Sequence, residues 1–156
     1  MRLICGPATF SLPGTHDALK VTLFGQAGTE NQGSAGDAAK HEILHRRLDP
    51  APRAWDLLSI ALSVVTADFA GHRSDSPDGW TRELELDIAV ADPEFWNTQA
   101  TALRKALGFL STDRWTLRFH GGGELPPLQR QAIRPVEDCV VLLSGGLDSL
   151  WGVQSC

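Results

Sequence analysis

Cysteine is scarce in this chain and never closely paired. Cys5, Cys139 and Cys156 are odd in number, and no two of them stand as C-x-x-C. That leaves no disulfide framework and no cysteine-built zinc site, and a reducing cytoplasm is the simplest compartment. Long apolar runs are also missing. The richest, residues 57–65 (LLSIALSVV), is too short to span a bilayer and is followed by Thr66 and Asp68, so no membrane association is expected. The opening MRLICGPATF lacks the apolar stretch of a secretion signal. Positive charge is not in excess either. A formal net charge of −5 supplies no basic field for a phosphate backbone, which argues against direct nucleic-acid binding.

What is present reads as an ordinary globular composition, with 42% apolar and 21% charged residues over a length of 156 that suits one domain, or one domain plus a fragment of a second. Residues 2–5 and 18–24 look like short strands joined by a turn around LPGTHD. Residues 25–37, rich in Gly, Ser and Asn, are expected to be an exposed mobile loop. The next stretch, AKHEILHRRLD, fits a strand face (His41, Ile43, His45, Arg47) as well as a helix face (Leu44, Leu48). Trp55, Leu58, Leu62, Val65 and Phe69 then fall at steps of three and four, predicting an amphipathic helix that ends near Gly71.

TRELELDIAV alternates strictly, with Leu84, Leu86, Ile88 and Val90 set against Glu83, Glu85 and Asp87, as in a strand with one buried and one wet face. Asp92 as N-cap and Pro93 at the first helical position open a second helix carrying Trp96, Leu103, Leu107 and Leu110. Trp115, Leu117 and Phe119 alternate again in DRWTLRFH. Strand, helix and strand in this order make a βαβ-like unit, so residues 1–120 are expected to form a small α+β layer domain.

Residues 121–135, GGGELPPLQRQAIRP, break the pattern with three glycines and two adjacent prolines and read as a linker. After it, DCVVLL has the continuous apolar character of a strand buried on both faces in a parallel sheet. Residues 136–156 therefore read as the start of a second domain. Ser144-Gly145-Gly146-Leu147-Asp148-Ser149 follows this strand directly, and strand, glycine-rich turn and helix start is an arrangement that binds phosphates. Gly145 and Gly146 let the backbone approach a ligand closely. Amides of Gly146, Leu147 and Asp148 can point at phosphate oxygens, with the hydroxyls of Ser144 and Ser149 as further donors. Beside a polyphosphate, an ionised Asp148 suits Mg²⁺ coordination or bracing of the loop.

No Lys follows the glycines and no G-x-G-x-x-G spacing is present, which excludes the commoner nucleotide loops. The motif matches the S-G-G-x-D-S pattern of the PP-loop ATP pyrophosphatases. At typical residue frequencies its five fixed positions arise by chance in a chain of this size roughly once in several thousand. Within that superfamily LLSGGLDS most resembles 7-cyano-7-deazaguanine synthase-like (QueC-like) enzymes, with asparagine synthetase-like domains sharing the same six letters. WDLLSIALSVVTADFA, RELELDIAVADPEFW and LGFLSTDRWTLRF, within residues 52–120, resemble the front region of QueC-like proteins in anti-phage defence clusters of the Qat type.

The resemblance implies a doubly wound α/β PP-loop domain, and a further 150–200 residues or so are expected beyond the loop. On this reading the chain is an N-terminal fragment, its catalytic domain cut off just after the loop. The resemblance further implies that ATP and Mg²⁺ activate a carboxylate, with a 7-deazaguanine carboxylate as the small-molecule substrate. Pyrophosphate leaves, and a nitrogen nucleophile, either ammonia or an amine on a partner protein of a defence system, then displaces AMP. Ser144, Gly145, Gly146, Leu147, Asp148 and Ser149 are the ATP and pyrophosphate contacts so implied. The synthases' four-cysteine zinc site would lie beyond this chain, and no catalytic residue is assigned within it.

Two other readings compete. Residues 1–120 alone would serve as a non-catalytic module binding a partner protein. His41-Glu42-Ile43-Leu44-His45 matches the H-E-x-x-H of zinc hydrolases, but Asp49-Pro50 cuts any helix short, and His16, His72 and His120 offer no third-ligand motif. No zinc is expected there. Trp80 and Trp96 are expected to pack rather than bind, Glu83, Glu85 and Asp87 to form a solvated face, and Cys139 to fill a core.

Overall fold

A computed structural model of the chain describes residues 1–13, 17–27 and 32–133. They form a small domain with a five-stranded, wholly parallel sheet and three α-helices. In chain order these are β1 (Arg2–Gly6), β2 (Leu19–Leu23), β3 (Gln32–Ala35), α1 (Asp37–His45), α2 (Pro52–Ala70), β4 (Glu83–Ala89), α3 (Pro93–Ser111) and β5 (Arg114–His120). The sheet order is β3-β2-β1-β4-β5, a generic doubly wound α/β strand order. From β1 the chain builds outward through β2 and β3. It then crosses back through α1 and α2 to place β4 on the other side of β1.

The period-2 pattern sets the faces. Leu3 and Cys5, Val21 and Leu23, Leu84, Leu86 and Ile88, and Trp115, Leu117 and Phe119 share one face and are all buried. Trp55, Ile60, Leu58 and Leu62 of α2 and Trp96, Ala100, Leu103 and Leu107 of α3 join the same cluster, so both long helices lie on that face. The β4–α3–β5 unit is a true βαβ crossover, as its alternation and helical spacing predict.

Several expectations need correction. β1 and β2 are parallel neighbours, so the segment between them is a crossover connection and not a hairpin turn. Residues 25–37 contain β3, whose QGSA carries no large apolar side chain and is held by pairing with β2. The ambiguous stretch resolves as α1, a nine-residue helix. It ends with Arg47 at φ 55 and a Leu48 N–H to Ile43 carbonyl bond of 3.0 Å, a left-handed cap that usually takes glycine.

The buried side of α2 is rotated from the expected stripe. Trp55 is buried, but Val65 and Phe69 are exposed, while Asp56, Ser59, Ile60, Ser63 and Ala67 face the sheet. Small side chains let the helix approach closely. Their hydroxyls are satisfied within the helix, Ser59 donating to the Trp55 carbonyl (3.1 Å) and Ser63 to that of Ser59 (2.7 Å). Leu110 at the end of α3 is likewise exposed.

Asp56 ties α2 to the β4–α3 junction. Its carboxylate accepts from the backbone N–H groups of Ala91 (2.7 Å) and Asp92 (3.1 Å) and from Trp96 Nε1 (3.0 Å). Asp92 in turn caps α3 by accepting from the Phe95 N–H (3.1 Å). Asp56→Ala strands three donors in a buried junction, and urea unfolding at neutral pH should show a loss of about 3 kcal/mol. A loss below about 1 kcal/mol would mean that water replaces the carboxylate freely.

Candidate functional site

Ser144, Gly145, Gly146, Leu147, Asp148 and Ser149, with the preceding Cys139 and the strand and loop expected of them, lie outside the described residues. So does His16. The described domain nevertheless bears on where nucleotide chemistry can take place. Open parallel sheets bind ligands beyond the carboxyl ends of their strands, where the strand order reverses. Here that point lies between the ends of β1 and β4, and the chain itself fills it.

Phe10 folds back over the end of β1. A Cβ on Gly6 would lie 2.6 Å from Phe10 Cδ1 and 2.8 Å from the Ala89 Cβ, so glycine is required by the close approach. Beyond β5 the chain turns across the end of β4, the Gly123 N–H donating to the Val90 carbonyl at 3.2 Å. A Cβ on Gly123 would sit 2.4 Å from the Val90 carbonyl carbon. Glu124 then pairs with Lys40 of α1, whose ammonium also donates to the Phe24 carbonyl (3.4 Å). Arg47 donates to Gln131 Oε1 (3.3 Å), and Ile133 forms a bridge with Leu48. Residues 121–133, read from composition as a linker, thus run across the sheet end and along α1.

The sheet face opposite the helices carries the acidic residues of β4. Glu83 pairs with Arg114 (3.0 Å) and Glu85 with Arg118 (2.9 Å), as expected of a solvated face. Asp87 departs from that expectation, being 1% exposed. It accepts from Arg2 Nε (2.8 Å), lies 3.5 Å from Arg118 and meets His120 Nε2 at 2.8 Å. Burial alone would raise its carboxyl, but hydrogen bonds from His120 and Arg2 and the nearby guanidinium charges hold it below the ordinary value of 3.8.

A second ionic node closes the opposite end of the sheet. Arg82, buried, donates to Asp113 (Nε at 3.1 Å and an NH2 nitrogen at 2.6 Å), to Asp68 (2.5 Å) and to the carbonyls of Asp68 and Gly71. Arg73 also reaches Asp113, at 3.2 Å. Burial pushes the Asp113 carboxyl up, but hydrogen bonds from the Arg82 side chain and backbone outweigh it and hold it low. An open groove of about 560 Å³ lies beside this node, lined by residues including Gly71, His72, Asp75, Thr81 and Leu84. Arg82, Glu83 and Arg114 beside it are ion-paired, and Asp78 is lowered to about 2 by the N–H groups of Trp80 and Thr81 that it accepts from.

His41, Glu42 and His45 all lie exposed on α1, the two rings 6.5 Å apart, and Glu42 is paired with Arg46. Among the described residues no group of three or more His, Cys, Asp or Glu side chains is placed to hold a metal ion. The zinc-hydrolase pattern therefore has no third ligand among them. Also among the described residues, no helix is long and apolar enough to cross a membrane. Trp96 packs in the core and Trp80 is exposed beside Arg73, whose guanidinium carbon lies 5.0 Å from its ring centre. Sequence reasoning missed the Arg82–Asp113 and Asp56 nodes, since neither stands in a motif. No family model, curated protein or solved structure matches the chain.

The two buried depressed carboxylates, Asp87 and Asp113, give the acid response its sign. A folded-state pKa below the unfolded value contributes stability above about 3.8 that is lost as pH falls through the folded pKa. Urea midpoints should hold between pH 7 and 5 and fall steeply below about pH 4. Asp87→Asn, measured the same way, should flatten that acid limb while lowering stability at pH 7. An acid limb of unchanged steepness in Asp87→Asn would place the titration elsewhere.

Proposed function

We propose that this chain is the front part of a QueC-like PP-loop ATP pyrophosphatase, with residues 1–120 as a non-catalytic accessory domain. The observation that carries the reading is SGGLDS at 144–149, directly after the apolar run 139–143. The closed crevice of the described domain supports it indirectly. With Phe10 and Gly123 packed over the ends of β1 and β4, the front domain has its usual ligand position occupied by its own chain. Nucleotide binding is then a task for the second domain.

In this reading Gly145 and Gly146 let the backbone approach, Ser144, the amides of Gly146, Leu147 and Asp148, and Ser149 hold the β- and γ-phosphates, and the Asp148 carboxylate braces the loop or binds Mg²⁺. A carboxylate oxygen attacks the α-phosphorus, the bond to the β-phosphate oxygen breaks, and pyrophosphate departs while held by the loop. A nitrogen nucleophile then attacks the acyl carbon and AMP leaves. The substrate class is a 7-deazaguanine carboxylate, and the acceptor is ammonia or an amine on a partner protein of a defence system.

The test is carboxylate-dependent release of AMP and pyrophosphate. A protein in which residues 1–156 run on into a complete PP-loop domain should show it, and Asp148→Ala should lower it by at least about a hundredfold. The 156-residue chain by itself should release neither product, because loop amides without the surrounding sheet are not preorganised. Robust turnover that survives Asp148→Ala would locate the chemistry elsewhere and defeat the proposal.

A further inference from the structure

α2 is apolar or small nearly all the way round. Its charged residues are Arg53 in the first turn, Asp56, which is buried at the β4–α3 junction, and Asp68 in the last turn. Trp55, Ser59, Ile60, Ser63 and Ala67 face the sheet, and the opposite side carries Ala54, Leu57, Ala61, Val65 and Phe69, all exposed. Leu57 is 49% exposed, Val65 51% and Phe69 81%. Leu57, Ala61, Val65 and Phe69 stand four residues apart on one unbroken helix, so they are successive neighbours in a single ridge roughly 18 Å long. α3 has the same length and an ordinary solvated side, with Thr98, Thr101, Arg104 and Lys105 exposed. A helix that is apolar on every side is normally covered on every side. By turning its small residues to the sheet, α2 leaves Val65 and Phe69, which its spacing offers for burial, on the outside.

The ridge is complementary to a second copy of itself. Arg53 and Asp68 bound it with opposite charges, and Ala61 lies midway between them. Both side chains stay largely exposed while paired within the domain, Arg53 with Asp92 at 60% and Asp68 with Arg82 at 56%. In an antiparallel two-fold pair centred on Ala61, that residue meets the partner's Ala61, and Leu57 meets the partner's Val65. Arg53 then faces the partner's Asp68 and the ring of the partner's Phe69. Alanine at the crossing point permits the close approach of two helices that such packing needs. A parallel pair would instead set Arg53 against the partner's Arg53, and Asp68 against the partner's Asp68, so charge selects the antiparallel arrangement. We propose that the ridge Leu57–Ala61–Val65–Phe69 is the interface of a homodimer in which two copies of α2 pack antiparallel about Ala61. The inference takes nothing from the proposed function.

Sedimentation velocity of the 156-residue chain tests it. Over roughly 1–500 μM the chain should show a reversible monomer–dimer equilibrium with a Kd of about 10–100 μM, as befits one helix per copy. Ala61→Glu sets like charges against each other at the crossing and should weaken dimerisation at least about tenfold. Position 61 is exposed, so the dilute variant should unfold at the parent's urea midpoint. Crosslinking reads the register in a Cys139→Ser, Cys156→Ser background, where the remaining Cys5 is fully buried and burial pushes its thiol up to about 11. Ala61→Cys should form an intermolecular disulfide on mild oxidation, because its two copies meet at the axis. Ala54→Cys, exposed on the same side, should not, since its copies lie about 20 Å apart in the antiparallel pair.

A chain that stays monomeric at the highest concentration would overturn the proposal and leave the ridge to a different protein. A dimer indifferent to Ala61→Glu would do the same by placing the interface elsewhere. So would a dimer that Ala61→Cys fails to crosslink, or one that Ala54→Cys crosslinks as readily.

Discussion

A parallel sheet with both long helices on one side has a second face that must be reconciled with water. Parallel sheets are normally covered on both faces, and strands so covered read as continuous apolar runs. β4 and β5 alternate instead, and their outward positions are polar and mostly ion-paired: Glu83 with Arg114, Glu85 with Arg118, and Asp87 with Arg2, Arg118 and His120. The acidic stripe on β4 is flanked by basic residues on β1 and β5, so each carboxylate finds its partner across a strand boundary. The exposed pairs add little individually. Asp87 is different because its carboxylate is buried, and losing either Arg2 or His120 would leave a desolvated charge with less compensation. The one-sided sheet therefore depends on that carboxylate being fully partnered.

The same logic explains where sequence patterns were legible. Strict alternation located β4 and β5, and Asp92 with Pro93 located the start of α3, because each signal is local. β3 was invisible: Gly33, Ser34 and Ala35 have no β-branched or aromatic character, and the strand exists because β2 offers it a ladder. The face of α2 was misjudged for a related reason. Hydrophobicity favoured Val65 and Phe69, whereas close approach to the sheet favoured Ser59, Ser63 and Ala67. Periodicity reads transfer free energy and is blind to shape. The ionic nodes were equally hidden, since Arg82 and Asp113 are 31 residues apart and meet only when α3 has folded between β4 and β5.

The candidate nucleotide site stands in the reverse relation to structure. Its proposed residues are contiguous in the sequence, as SGGLDS, but a phosphate loop is defined by the sheet that fixes its amides, and these residues lie outside the described ones. What the described domain contributes is a constraint on alternatives. A strand order of β3-β2-β1-β4-β5 invites a ligand at the β1–β4 boundary, but Gly6 and Gly123 are there to admit Phe10 and a crossing backbone. Glycines that in a nucleotide-binding sheet would let a phosphate approach here let the protein approach itself.

That closure also sets the path of residues 121–133. Because residues 121–124 must cross β4 to reach Lys40, the segment that follows β5 is delivered to α1 and away from the open sheet edge at β5. A composition of glycines and prolines suggested freedom, but Gly122 and Gly123 provide the turn and the close approach that anchor the path. Pro126 and Pro127 then stiffen it, since each fixes a backbone φ and gives up a donor that water would otherwise have to satisfy. The residues that look most like a flexible tether are therefore held to the sheet end at Gly123 and to α1 and its C-terminal turn at Glu124, Gln131 and Ile133.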